Sequence, residues 1–359
     1  MILLAIAAIA AGYQLFAILA CLARRRSVPA VPATAVPVSV LKPIRGAEAP
    51  LRAAIASHVD LAGEFELICG VSDPNDPAIA VLREFPSVRV VRATTRKPNG
   101  KAGVLMDLVA AARFPIIVVN DADIRVPPDY LARVTAPLSD PGVGLVTCLY
   151  RANGDTFAAR FEALGVVTDF APSTLVARLV GVDEFALGST LAFRRADLDR
   201  IGGFAAVADY LADDYQVGHR LHALGLKCVL SDVIVDTHLG GAWAGVWRHQ
   251  LRWARTIRVS KFFGYLGLPV TYATFWALVC AVAGRWDAAL ALIAVRMIMA
   301  TESGWFVMRS RDALRLWLLI PIRDLFGVAV WCAGLFGNSV IWRGDRLRLD
   351  RDGRIHPAN

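Results

Sequence analysis

The sequence predicts an α/β body tied to a membrane by apolar helices at both of its ends. Three observations lead there. Apolar runs of strand type alternate with helical patterns between residues 37 and 262, the arrangement of a mainly parallel sheet with covered faces. Uncharged apolar stretches flank that body on either side. The bulk composition fits neither an ordinary soluble domain nor a pure membrane bundle: 56% of residues are hydrophobic and the mean hydropathy is +0.49, yet 19% are charged.

Residues 1–23 carry no charged side chain and end at Arg24-Arg25-Arg26. At roughly 1.5 Å per residue they are long enough to cross about 30 Å of hydrocarbon. A cleaved leader would carry its positive charge on the other side, so the segment reads as a transmembrane helix, and the positive-inside rule places the body that follows in the cytosol. Residues 24–36, rich in proline, alanine and valine, read as a stiff linker. Within the body, 37–262, strands are expected at 37–43, 64–72, 88–92 and 115–120, with helices at 48–58, 78–85 and 101–112 between them. A strand at 142–150, one long apolar helix at 156–179, a strand at 185–193, a helix at 210–224 closed by Gly225 and a strand at 228–235 complete it. Beyond Lys261 come apolar stretches at about 266–284, 287–308 and 313–342, a membrane region spanning 263–342. Pro321, Arg323, Asp324 and Gly327 interrupt the third; because charge at midbilayer is costly, it is expected to lie at the interface or to re-enter. The basic tail, 343–359, then stays cytosolic.

Ligands of such sheets gather at the carboxyl ends of strands, and Asp73 and Asp121 stand at the ends of the second and fourth expected strands. Asp121-Ala-Asp123 allows two carboxylates to converge on one hard divalent cation, Mg2+ or Mn2+, leaving its other positions to water and diphosphate oxygens. Such an ion neutralises a departing nucleotide diphosphate. The plain alternative is a turn whose side chains bond local amides. Asp213-Asp214 opens an expected helix, where capping is the common fate of acids, but two adjacent carboxylates exceed the needs of a cap, and Asp214 is a candidate general base. Lys97-Pro-Asn-Gly100-Lys101 offers cations at a helix start, equally suited to phosphate and to an exposed turn. His249-Gln-Leu-Arg252-Trp253 follows Trp243 and Trp247; it reads as an interfacial amphipathic helix, as a forked donor for phosphate beside an indole for a sugar or lipid head, or as both. His219 and His222 share a helix face without a third ligand and read as solvated.

The six cysteines are scattered and suggest neither a disulfide framework nor a zinc site. A net charge of +8 concentrates at membrane edges, around 24–26, 248–261 and 343–354. That placement suits anionic lipid headgroups and an anionic sugar nucleotide better than nucleic acid.

Taken together, the ordered strings resemble the ceramide glucosyltransferase family (glycosyltransferase family 21), a membrane branch of inverting transferases with a GT-A fold and the pattern D, D, D, (Q/R)xxRW. The likeness runs from about Pro37 to Leu349 and includes Asp73-Pro-Asn-Asp76-Pro, Ile124-Arg125-Val126-Pro127, Gly202-Gly203, Asp213-Asp214-Tyr215 and Ile341-Trp342-Arg343. The resemblance implies that Asp73 contacts a uridine, that Asp121 and Asp123 form the diphosphate and metal site, and that Lys101 belongs to the donor site. It further implies that Asp214 is the base and that Arg252 and Trp253 close over the diphosphate and acceptor, with His249 as a substrate-binding residue beside them. His249 departs from the pattern's glutamine or arginine. The chain is also similar to bacterial hopanoid-biosynthesis glycosyltransferases, which implies a bacterial inner-membrane enzyme moving a sugar from UDP-N-acetylglucosamine or UDP-glucose to bacteriohopanetetrol, with ceramide as the alternative acceptor. A processive polysaccharide synthase needs more crossings, and a noncatalytic scaffold has no use for all four strings.

Overall fold

The computed structural model describes residues 1–26, 36–48, 50–342 and 344–357 of the chain. Most of the expected linker, as well as Arg343 and the last two residues, lies outside them. The chain forms two compact units, one made of Pro29–Tyr150 and Val182–His238, the other of Met1–Val28, Arg151–Gly181 and Leu239–Asn359.

The first unit is built on a seven-stranded sheet ordered β3-β2-β1-β4-β6-β5-β7. Its strands are β1 Val38–Ile44, β2 Phe65–Val71, β3 Val88–Arg92, β4 Ile116–Val119, β5 Val143–Gly154, β6 Leu191–Arg194 and β7 Lys227–Leu239. β1 pairs in parallel with β2 and with β4, and β2 with β3, whereas β6 runs antiparallel to both β4 and β5. The strands β1, β2 and β4 are buried on both faces because alternate side chains serve two cores, whereas β3 at the edge is largely exposed. Val38, Val40, Ile116 and Val118 join the helices Leu51–Val59 and Ala78–Leu82. Leu41, Ile117 and Val119 meet Val104, Leu105 and Leu108 of helix Gly100–Ala111 and Val217 and Leu221 of helix Asp213–Ala223.

One expected strand is shorter than its apolar run. Of residues 185–193 only the end enters the sheet, because the backbone before it bonds to side chains instead of to a neighbouring strand. The Leu187 N–H donates to Thr147 Oγ1 at 2.9 Å and the Gly188 N–H to Asp214 Oδ2 at 2.7 Å.

In the second unit, helices Ile2–Arg26, Trp286–Val307 and Trp317–Gly334 are long and apolar enough to cross a membrane, and Phe262–Thr271 with Ala273–Val282 forms a fourth candidate bent by 56°. The bent pair falls in the first C-terminal stretch, and Trp317–Gly334 lies within the third. Asp324 of that helix is paired inside the unit: Arg296 grips it with two hydrogen bonds of 2.6 and 2.8 Å, and Thr274 donates to the same carboxylate. Pro321 falls in that helix's first turn, where its missing N–H does no harm. The long helix expected at 156–179 contains a π-helical segment, Val166–Phe170, between Phe157–Gly165 and Ala171–Leu179. Carbonyls of that segment are taken by Arg296 Nη1 on Thr168 at 2.9 Å and by Ser303 Oγ on Val167 at 2.7 Å.

The basic tail is folded, not trailing. Alternation in Asp-Arg-Leu-Arg-Leu makes β9 Asp345–Leu349, which lies antiparallel between β8 Ser339–Trp342 and β10 Ile355–Pro357. Arg255 and Arg258 donate to carbonyls of Leu335, Phe336, Gly337 and Ser339, in the turn between the helix Ile320–Gly334 and β8.

Candidate active site

In the first unit the strand ends bring four of the expected residues together. Lys101, only 7% exposed, opens the helix Gly100–Ala111, whose N-cap Asn99 accepts from the Ala102 N–H at 3.1 Å. The Asn99 amide also donates to the Tyr210 carbonyl at 2.8 Å, tying this turn to the loop that leads into Asp213. Lys101 Nζ lies 2.7 Å from Asp121 Oδ1 and 3.6 Å from Asp213 Oδ2. Burial opposes the Lys101 charge, but Asp121, Asp213 and Asp214 outweigh it and hold the ammonium above the ordinary lysine range. At this turn Lys101 is buried in an ion pair while Lys97 is exposed.

Asp213 and Asp214 open their helix without capping it; the cap is Ala212 and no side chain serves it. Asp214 instead accepts two backbone N–H bonds, from Gly188 to Oδ2 at 2.7 Å and from Tyr215 to Oδ1 at 2.8 Å. A Cβ at position 188 would lie 3.0 Å from that carboxylate, so glycine lets the turn before β6 approach it closely. Burial, together with the charge of Asp213, pushes the Asp214 carboxyl up to about 6 despite Lys101.

The Asp121–Asp123 turn has buried supports that sequence reasoning missed. Lys42 is fully buried in β1 and donates from Nζ to the carbonyls of Asp121 at 2.8 Å and Ile124 at 3.3 Å. Burial lowers its pKa to about 8. Asn120 donates to the Ser189 carbonyl at 2.7 Å and the Tyr130 hydroxyl at 2.8 Å, and its Oδ1 meets His58 Nε2 at 3.2 Å. A lysine inside an apolar strand was the available signal for the first of these.

Among the described residues no three His, Cys, Asp or Glu side chains enclose a metal position. The donor set still fits a hard cation of the Mg2+ or Mn2+ kind, which takes one or two carboxylates and fills its shell with phosphate and water. The Asp121 side chain is 40% exposed, with Oδ1 on Lys101, and Asp123 spends Oδ2 on the Thr237 hydroxyl and the His238 N–H.

Asp73 belongs to a separate cavity of about 340 Å³ beyond β1 and β2, lined by Arg45, Ser72, Asp73, Pro74, Asp76 and Arg96. Asp76 shapes it by accepting from the Gly46 N–H at 2.9 Å and the Ala78 N–H at 2.8 Å.

His249, Arg252 and Trp253 belong to the second unit, on helix Trp243–Ser260. His249 Nδ1 is 2.6 Å from Glu162 Oε1, and its ring lies 4.6 Å from that of Trp253. Trp253 also meets Phe170 at 6.1 Å, Trp247 packs on Phe326 at 5.8 Å and Trp243 on Phe161 at 5.2 Å. The tryptophans are partly structural, and Glu162 was not foreseen.

A sheet of this order, with paired acids at the end of β4 and a half-buried acid facing them, defines a nucleotide-sugar transferase fold of the GT-A type. The chain belongs to glycosyl transferase family 21, whose family model matches residues 2–355. It is 29% identical to ceramide glucosyltransferase 1 of Caenorhabditis elegans over 89% of its own length and 73% of that protein's. It is 26% identical to a beta-monoglucosyldiacylglycerol synthase of Synechocystis over 72% of its length, spanning 53% of that enzyme. A mannosyltransferase of Pyrobaculum calidifontis, solved with GDP-mannose and Mn2+, shares the fold at TM-score 0.58 and 21% identity, over 93% of this chain and 96% of that one. The protein is therefore a membrane glycosyltransferase.

Proposed function

We propose that the protein transfers a sugar from a UDP-sugar, UDP-N-acetylglucosamine or UDP-glucose, to a hydroxyl of a membrane lipid with inversion at the anomeric carbon. The observation that carries this reading is Asp214, held by two backbone N–H groups in a cluster of Lys101, Asp121 and Asp213. Its carboxyl, lifted to about 6, is basic enough to take a hydroxyl proton and still ionised at neutral pH.

In a single displacement the acceptor oxygen bonds to the anomeric carbon as the bond from that carbon to the β-phosphate oxygen breaks. The hydroxyl proton goes to Asp214 and UDP leaves. Asp73 and its cavity take the base and ribose, Lys101 offers its charge to the diphosphate, and Arg252 and Trp253 bind diphosphate and acceptor. Asp121 and Asp123 would hold a divalent cation, whose charge stabilises the departing diphosphate. The C. elegans relative favours a ceramide acceptor and the Synechocystis relative a diacylglycerol; the likeness to hopanoid enzymes favours bacteriohopanetetrol, with the catalytic unit in the bacterial cytosol.

The test is to incubate purified protein in detergent with each UDP-sugar and a bacterial lipid extract, hopanoid, ceramide and diacylglycerol being supplied in separate reactions, and to weigh the labelled product. A glycolipid of one added sugar supports the reading. A polymer, or no UDP release with any lipid, overturns it.

A further inference from the structure

We propose that Glu162 is a positioning residue for this reaction: it fixes His249 with its proton on Nδ1, so that the bare Nε2 is offered as an acceptor to a substrate hydroxyl. The inference rests on the substrate-binding role proposed for the segment His249 to Trp253. A histidine that stands in for glutamine or arginine brings a problem those residues lack, since a neutral imidazole exists in two tautomers and only one presents a given edge correctly.

Glu162 is 2% exposed on helix Phe157–Gly165, among Phe161, Ala163 and Leu164. Its Oε1 lies 2.6 Å from His249 Nδ1 and 2.8 Å from Gln250 Nε2. An ionised carboxylate only accepts, so the ring nitrogen facing it must carry the hydrogen. The acid is itself locked from behind: Gln250 donates to it from one end while its Oε1 accepts from Arg323 Nη2 at 3.0 Å. An amide oxygen at position 162 could accept from both Gln250 and Nδ1, but an amide also carries an N–H edge. What only the carboxylate does is accept from either oxygen and place its charge behind the ring, which strengthens Nε2 as an acceptor, the role outer carboxylates play behind histidines at other sites. Among the described residues Nε2 makes no hydrogen bond, and the His249 side chain is 27% exposed, so that nitrogen is left for a ligand. The ring's contact with Trp253 holds its plane.

The experiment is a double-mutant cycle on the full-length protein in detergent, with Glu162→Gln, His249→Gln and both, reading kcat and KM for lipid transfer and for hydrolysis of the UDP-sugar. Glu162→Gln should lower kcat/KM on the order of tenfold. In the His249→Gln background, where there is no tautomer to set, the same change should cost less than about twofold. Loss confined to transfer identifies the hydroxyl as the acceptor's, and loss in both reactions identifies it as one of the donor sugar nucleotide's. Equal loss in the two backgrounds means that Glu162 merely holds the helices together and overturns the proposal, as does no loss at all. If Glu162→Gln fails to fold, 15N spectra of the wild-type histidines decide: a proton on Nε2 alone at His249 overturns it, and one on Nδ1 supports it. Wild-type protein that releases no UDP from any donor sinks the functional reading but leaves this spectroscopic test standing.

Discussion

The two units each bury a charged cluster, and the clusters are built on opposite rules. In the membrane unit Arg296 and Asp324 close on each other, two bonds between one cation and one anion, with Thr274 on the remaining edge. In the sheet unit one ammonium, Lys101, faces Asp121 at 2.7 Å and Asp213 at 3.6 Å while Asp214 looks on, so negative charge is left over. Among the described residues Asp213 Oδ2 is buried without a hydrogen bond. A closed pair needs nothing further and serves the fold. An open cluster calls for a proton, a metal ion or a substrate, and a site is made of such unmet demand.

The largest expected break in this comparison is Asp214→Asn. It should lower transfer by about 100-fold or more while leaving UDP binding by calorimetry nearly intact, since the amide keeps the shape and cannot take the proton. Near-normal turnover would remove Asp214 from the role of base. Next comes the closed pair: Asp324→Leu should destabilise the detergent-solubilised protein by about 3–5 kcal/mol by stranding Arg296, and Arg296→Met in the same chain should restore most of that. Thermal unfolding reads both, and a milder single than double variant would reverse the assignment. Third, Asp123→Ala should raise the concentration of Mn2+ needed for half-maximal rate about tenfold or more, and excess chelator should stop the wild type. Full activity in chelator would refute the cation.

The smallest effect concerns pH and has two signs. Because Asp214 must be ionised to act, kcat/KM should fall as the pH drops through about 6. Its folded pKa lies above the ordinary aspartate value, so between roughly pH 4 and 6 the folded state holds the extra proton, and stability should fall as pH rises through that window. Asp214→Asn should flatten the stability trend; an unchanged slope would place the titrating group elsewhere.

Much of the sheet unit was legible because local pattern and tertiary environment agree there. Val88–Arg92 stands where its alternation put it, and the helix from Gly100 differs from expectation by a residue at each end. The failures share a cause. The run at 185–193 looked like a strand, but its amides were claimed by Thr147 and Asp214, partners 40 and 26 residues away. The partners of Arg323 and Asp324, Gln250 and Arg296, were likewise out of view because they are remote in sequence. Glu162 left one trace, an acid which, with Asp169, interrupts the apolar helical stretch 156–179, and nothing nearby in sequence named His249 as its partner. In the candidate site the charges could be read from the sequence but not their orientation. Lys42 beneath Asp121 and Gly188 against Asp214 are what aim them.

The π-helical segment Val166–Phe170 acts on the rest of its helix as a phase shifter. A π turn holds one residue more than an α turn, which advances everything after it by about 100° around the axis. Ala171, Pro172, Thr174 and Leu175 owe their inward bearing to that offset. Removing a single residue from the segment would let an α ladder close through it, take away the open carbonyls that Arg296 and Ser303 now fill, and turn the inner stripe of the following helix outward. For anyone re-engineering this transferase, the segment therefore tolerates substitution far better than a change of length, and the two side chains that fill its carbonyls have to be treated as part of the same insertion.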